Sequence, residues 1–231
     1  SELLGRGKIF GARLSAVCDV DFLKAEALGK KFSVPYYSNI SDLLKSEPVD
    51  VVSVLTESGN HADHVIEAAS FGKQVVVEKP MALNLKDADR MIAACDLAGV
   101  QLFVIKQNRY NLPVVKLKEA VEQGRFGDLI LGTVRVRWCR RQDYYDQGKW
   151  RGSWAMDGGV IANQASHHID MLQWIMGDVE SVFAKSSRAL ANIEAEDTMV
   201  VTLKFKSGAL GIIEATTATR STCIEPRLGS G

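Results

Sequence analysis

Val75-Val76-Val77-Glu78-Lys79-Pro80-Met81-Ala82-Leu83 is the stretch on which the reading of the fold turns. Three β-branched residues in a row suit a strand buried on both faces, as in a parallel sheet. Pro80 ends the ladder, because it has no N–H to donate and disfavours helix in Lys79. A glutamate and a lysine therefore sit at the carboxyl end of a central parallel strand, the edge where open α/β sheets bind ligands. A lysine on a rigid strand end can donate a proton or hold a fixed positive charge. Solvated turn charges would look the same in isolation, so the surrounding chain has to decide.

On either side of this stretch, strands and helices alternate. Ala12–Cys18, Val49–Leu55, Gln74–Val77 and Gln101–Ile105 read as strands, with Val34–Tyr37 as a turn or short strand. Phe22–Phe32, Ile40–Ser46, His61–Phe71 and Lys86–Ala98 read as helices, with Ser38 or Asn39 as a cap and Gly72 and Gly99 as stops. Such alternation predicts right-handed βαβ units and a parallel sheet. After about residue 107 the period changes. Pro113–Gln123 and Gly158–Met176 read as helices. Leu129–Trp138 reads as a strand with one wet face, because Val134, Val136 and Trp138 alternate with Arg135 and Arg137. Val179–Ser187 is a further strand, and Thr198–Phe205 with Ala209–Thr217 makes a hairpin around Lys206-Ser207-Gly208. The expected organisation is a Rossmann-like α/β domain over 1–107 and an α+β substrate and oligomerisation domain over 108–231, with a mainly antiparallel open sheet.

Composition narrows the function classes. Lys plus Arg and Asp plus Glu both number 28, and a net charge of zero argues against nucleic acid or an anionic membrane as partner. No apolar run approaches the ~18 residues of a membrane span. The N-terminal residues carry no secretory signal pattern. Cys18, Cys95, Cys139 and Cys223 lie far apart, which suits free thiols in a reducing cytoplasm. His61 and His64 lie three apart, but no third ligand accompanies them, so no metal site is expected.

A dinucleotide fold opens with a strand, a glycine-rich turn and a helix, with an acid ~20 residues on. Asp19, after the second-strand pattern, suits that acid and also suits a simple turn. Glu2–Phe10 reads as the tail of the first helix, which leaves the first strand and its glycine loop absent from this stretch. On that expectation the sheet lacks a central strand and NAD binds poorly. The end, after Thr217, reads as a truncated sheet.

Taken together, these motifs resemble the Gfo/Idh/MocA family, the glucose–fructose oxidoreductase and inositol dehydrogenase type. The resemblance runs from about Gly11 to about Arg220. It rests on Ala16-Val17-Cys18-Asp19, on Val34-Pro35-Tyr36, and on Thr56-Glu57-Ser58-Gly59-Asn60-His61 against a Thr-Pro-x-x-x-His loop, with Glu57 where proline is usual. Glu78-Lys79-Pro80 is its signature. Gly158-Gly159, Asn163, His167 and Asp170 fit its G-G-G-x-x-x-D-x-G-x-H-x-x-D helix, with Asn163 where aspartate is usual. Asn cannot ionise, so it can hydrogen-bond but cannot act as acid or base.

What the resemblance implies is an NAD(P)-dependent dehydrogenase acting on a CH–OH group, with NAD favoured over NADP by Asp19. Catalytic residues would be Lys79, polarising the reacting oxygen, and His167 as general base oriented by Asp170. Asp19, Thr56, His61, Glu78 and Lys79 would face the cofactor. Lys79, Arg109, Tyr145, Trp150, Arg151, Asn163 and His167 would face the substrate, with Tyr110 as a further candidate. On a regular helix Asn163, His167, Asp170 and Trp174 share one face, and His168 turns away from it. Asn163 and the aromatic–arginine run Arg137–Asp146 with Trp150-Arg151-Gly152 resemble members acting on nucleotide sugars, which implies a UDP-linked amino sugar or its uronate. A free aldose or inositol is the alternative substrate, and a non-catalytic nucleotide-sensing member or an incomplete fragment the alternative role. Family members commonly pair open sheets, so a homodimer or homotetramer is the expected assembly.

Overall fold

The structure is a computed structural model that describes residues 2–219. The chain forms two compact units. The first comprises residues up to Thr56, Asn60–Glu78 and Asn84–Val104. The second takes Glu57–Gly59, Lys79–Leu83 and the described residues from Ile105 onward. The chain thus crosses between units at the bond joining Glu78 to Lys79.

The first unit holds α1 (Glu2–Gly5), β1 (Val17–Cys18), α2 (Phe22–Phe32), β2 (Tyr36–Tyr37), α3 (Ile40–Ser46), β3 (Val51–Val54), α4 (His61–Ser70), β4 (Gln74–Val77), α5 (Leu85–Ala98) and β5 (Leu102–Val104). All its strand pairs are parallel, as the alternating pattern predicts. They fall into two sheets, β1-β2 and β3-β4-β5. β4 is central in the second, and Val75 and Val77 are fully buried. Helix boundaries follow local chemistry. Asp21 caps α2 by accepting from the Leu23 and Lys24 N–H groups. Asn39 and Asn84 do the same for α3 and α5, and Gly99 closes α5 in the left-handed region at φ 65°.

Several strands are shorter than expected. Ala12–Cys18 reduces to Val17–Cys18, because only these two residues pair with the neighbouring strand, opposite Tyr36 and Tyr37. Glu2–Phe10 is helical only to Gly5, and Gly7 turns the chain at φ 63°.

The second unit holds α6 (Leu112–Glu122), β6 (Leu131–Arg137), α7 (Gln142–Asp146), α8 (Ser166–Met176), β7 (Val179–Ser187), β8 (Thr198–Phe205) and β9 (Leu210–Thr216). Its sheet runs β6-β9-β8-β7, antiparallel except for the parallel β6·β9 pair. The period-2 pattern holds in β6, where Val136 is buried and Arg135 and Arg137 are exposed. The inner face packs Val136, Val201, Leu203, Phe205, Ile213 and Ala215 against Leu172 and Met176 of α8. The outer face leaves Leu131, Phe183, Val200 and Leu210 exposed. Of the cysteines, Cys95 is buried and Cys18 exposed; Cys223 and the tail lie outside the described residues.

The expected helix Gly158–Met176 is in fact broken. Val160–Gln164 is a π turn, closed by the Ala165 N–H bonding to the Val160 carbonyl, and α8 starts only at Ser166. The cause is Glu196, buried beside the turn. Its carbonyl accepts from Val160 N–H at 2.9 Å and its Oε1 from Ile161 N–H at 3.2 Å. A carboxylate there satisfies N–H groups that a helix start would leave open. A Cβ on Gly159 would collide with that carboxylate, so position 159 has no room for a side chain.

Two measurements check this account. Phe205 is fully buried on the inner face, so Phe205→Ala should cost about 3–5 kcal/mol in denaturant unfolding of the second unit. Burial raises the Glu196 carboxyl above its usual range, only partly opposed by its backbone N–H bonds. A raised acid favours the folded state when protonated, so its contribution is present at low pH and lost as pH rises through the folded value. Glu196→Gln should therefore gain in thermal midpoint over the wild type as pH is raised from 5 to 8.

Candidate active site

The first unit gathers its candidate residues at the carboxyl ends of its strands. Asp19 follows β1, Thr56 follows β3 and Glu78 follows β4. Asp19 Oδ1 accepts from the Asp21 N–H at 2.9 Å, so this acid also builds the turn into α2. Two histidines of α4 hold the Thr56 loop. His64 Nδ1 lies 3.0 Å from the Thr56 hydroxyl, and His61 Nε2 lies 3.1 Å from its carbonyl. His61 is 1% exposed, so this bond ties the loop to the unit's interior.

In the second unit, Lys79 reaches the π turn. Its ammonium donates to the Asn163 carbonyl at 2.9 Å and to Asn163 Oδ1 at 2.8 Å. The other side of the Asn163 amide donates to Asp157 Oδ1. Asp157 Oδ2 accepts from the Gly152 N–H at 2.6 Å. These partners fix the amide's orientation, because an ammonium can only donate and an ionised carboxylate can only accept. Burial pushes the Asp157 carboxyl up, and the Gly152 and Asn163 bonds with the Arg151 and Lys79 charges offset only part of this.

His167 stands on the first turn of α8, with its Nε2 3.1 Å from Gln107 Nε2. Asp170 is paired with cations. Both of its oxygens accept from Arg109, each at 2.7 Å, and Lys106 lies 3.5 Å away. Burial alone would raise the Asp170 carboxyl, but these cations hold it below its usual range. Arg109 also lies over the Trp174 ring at 5.0 Å. The π turn interrupts the helix between Asn163 and His167, so the common stripe expected for them does not extend across it. His168 packs edge-on against Trp138, and burial lowers its affinity for a proton.

The aromatic–arginine run is a stack. Arg140 lies between the rings of Trp138 at 5.5 Å and Tyr144 at 4.8 Å. Arg151 lies between Tyr144 and Trp150, 4.5 Å from each. Arg151 also donates to the Tyr144 hydroxyl at 2.7 Å. Tyr145 is buried beside the stack, with its hydroxyl 3.0 Å from the Thr217 hydroxyl and its ring edge-on to Tyr144 at 5.1 Å. Sequence reasoning passed over Asp157, Gln107, Arg140 and Tyr144 as individuals. For Asp157 a signal existed: it stands where the glycine-rich motif has its first glycine.

A model of an oxidoreductase family with an NAD-binding Rossmann fold matches residues 6–106. A GFO/IDH/MocA C-terminal domain model matches residues 114–228. The chain is 36% identical to a myo-inositol 2-dehydrogenase of Thermotoga maritima over 88% of its own length and 60% of the relative's. Among solved structures, the WlbA dehydrogenase of Bordetella pertussis, in complex with NADH and UDP-GlcNAcA, is 44% identical with a TM-score of 0.89, covering 93% of this chain and 66% of that one. The Chromobacterium violaceum WlbA, in complex with the same two molecules, is 39% identical with a TM-score of 0.90, covering 93% of this chain and 63% of that one. The chain thus spans about two thirds or less of the proteins it matches. Matched by family models across both of its halves, the chain belongs to the Gfo/Idh/MocA oxidoreductases.

Proposed function

We propose that this chain serves an NAD-dependent dehydrogenase that oxidises a sugar hydroxyl of a UDP-linked amino-sugar uronate. The observation that carries the reading is the Lys79 ammonium fixed on Asn163, at the end of the Glu78-Lys79-Pro80 signature. Supporting it are the non-ionisable residue at 163, the stack of rings and guanidinium groups, and the likeness to two proteins solved with UDP-GlcNAcA.

The donor set fits parts of a dinucleotide. Asp19 ends a parallel strand and has a second oxygen for ribose hydroxyls, and a carboxylate there repels a 2′-phosphate, which favours NAD. Thr56, His61 and Glu78 would hold the nicotinamide half. A glycine-rich turn for the pyrophosphate is not among the described residues. NAD supplies the hydride acceptor when bound. In the proposed mechanism His167 takes the hydroxyl proton as general base. Lys79 holds positive charge against the same oxygen as negative charge develops on it. Asn163 orients that charge. Arg140 and Arg151 supply guanidinium groups for the diphosphate, and Trp138, Tyr144 and Trp150 supply flat faces for base or sugar. The exposed apolar positions of the outer sheet face support assembly as a homodimer or homotetramer.

A polyol or free aldose is the second reading, favoured by the likeness to the inositol dehydrogenase. A substrate panel read by NADH absorbance separates the two. In the protein carrying this chain, Lys79→Ala should lower turnover by about 100-fold or more while NAD affinity stays within about threefold; normal turnover would sink the role given to Lys79. Arg151→Ala should raise KM for UDP-GlcNAcA about tenfold and leave kcat nearly unchanged, the mark of binding that is equal in ground and transition states.

A further inference from the structure

The second unit buries a carboxylate that the mechanism above does not use. Asp157 is 3% exposed, yet it lies one hydrogen bond from Asn163 and two from Lys79. It has no cation in direct contact among the described ion pairs; its two oxygens accept from the Gly152 N–H and the Asn163 amide. Both bonds act on orientation. Gly152 sits at φ 72° with Ile193 and Tyr145 against it, so its N–H is a fixed post. Anchored on that post, the ionised carboxylate presents an acceptor to Asn163.

We infer that Asp157 is a positioning residue: it locks the Asn163 amide with its oxygen towards the Lys79 ammonium, and so sets where the reactive charge of the site is held. Without an acceptor at 157 the amide could turn over and present its NH2 group to the ammonium, which would repel it. The link also accounts for the residue type at 163. An aspartate there would set two carboxylates face to face in a buried place, whereas an asparagine joins a carboxylate to an ammonium with both bonds satisfied. Asp157 touches neither substrate nor cofactor in this scheme; it acts through Asn163. The inference rests on the reading that Lys79 meets the substrate.

The test reads Lys79 itself rather than turnover. The folded chain is labelled briefly with acetic anhydride at pH 8, and mass spectrometry gives Lys79 acetylation relative to exposed Lys86. Lys118, which donates to the Trp174 carbonyl, serves as a fold reporter in the same unit. Asp157→Asn keeps the shape but must present an NH2 group to one of two donors. It should raise relative Lys79 labelling about threefold or more with Lys118 unchanged, as should Asn163→Ala. The double variant should label no faster than either single one, because both break the same link. Wild-type Lys79 labelling in folded Asp157→Asn, or a double variant whose increase is the product of the two single ones, would overturn the inference. If Lys118 labelling shows that Asp157→Asn unfolds the unit, the smaller Asp157→Ser is read by the same criteria. Failure here leaves the Lys79→Ala turnover result intact, whereas normal turnover of Lys79→Ala would remove the reading itself.

Discussion

Three buried carboxylates govern the irregular parts of the second unit. Asp157, Glu196 and Asp197 are 3%, 5% and 0% exposed. A charge taken out of water must find hydrogen bonds or give up its charge. Each of these acids recruits backbone N–H groups from segments with no ladder or helix of their own to join. Asp197 accepts from Ala189, Leu190 and Ala191, which fold around it between β7 and β8. Burial would raise its pKa, but those bonds and the Thr198 hydroxyl outweigh burial and hold it low. Glu196 opens the π turn, and Asp157 gathers Gly152 and Asn163. The neighbouring pair thus splits: the acid with three backbone donors stays ionised readily, and the one with fewer does not.

This division bears on chemistry. A residue meant to meet a reacting oxygen has to be held in one place before substrate arrives, because reorganisation during reaction is what preorganised sites avoid. Lys79 lies on a long flexible side chain, and its position is set by a turn that is itself set by Glu196. The first unit uses a similar device: His61 and His64, one turn apart on α4, hold the backbone and hydroxyl of Thr56. In each unit a residue that follows a parallel strand, Thr56 or Lys79, is hydrogen-bonded to groups of a later helix or turn.

Much of the fold was legible in the sequence because it follows from local rules. The run Val75–Val77 read as a buried parallel strand, and β4 is the central strand of its sheet. The α2 and α3 boundaries follow from caps at Asp21 and Asn39. The wet and dry faces of β6 follow from side-chain alternation. Ends of strands were less legible, since a residue joins a ladder only if a partner strand reaches it, as Ala12–Ala16 show. Tyr145 and Tyr144 are adjacent and of one type, so nothing local distinguishes the core residue from the member of the stack.

By itself the sequence determined the parallel first unit, the mainly antiparallel second sheet and the strand-end placing of Asp19, Thr56, Glu78 and Lys79, because periodicity, capping and proline act over a few residues. Tertiary structure decided which groups meet. It broke the expected helix at Val160–Gln164, gave both Asp170 oxygens to Arg109 and joined Lys79 to Asp157 through Asn163. Those pairings join residues up to 84 positions apart. They arise because buried charges and N–H groups must be satisfied by whatever the folded chain brings within about 3 Å, which no local pattern encodes.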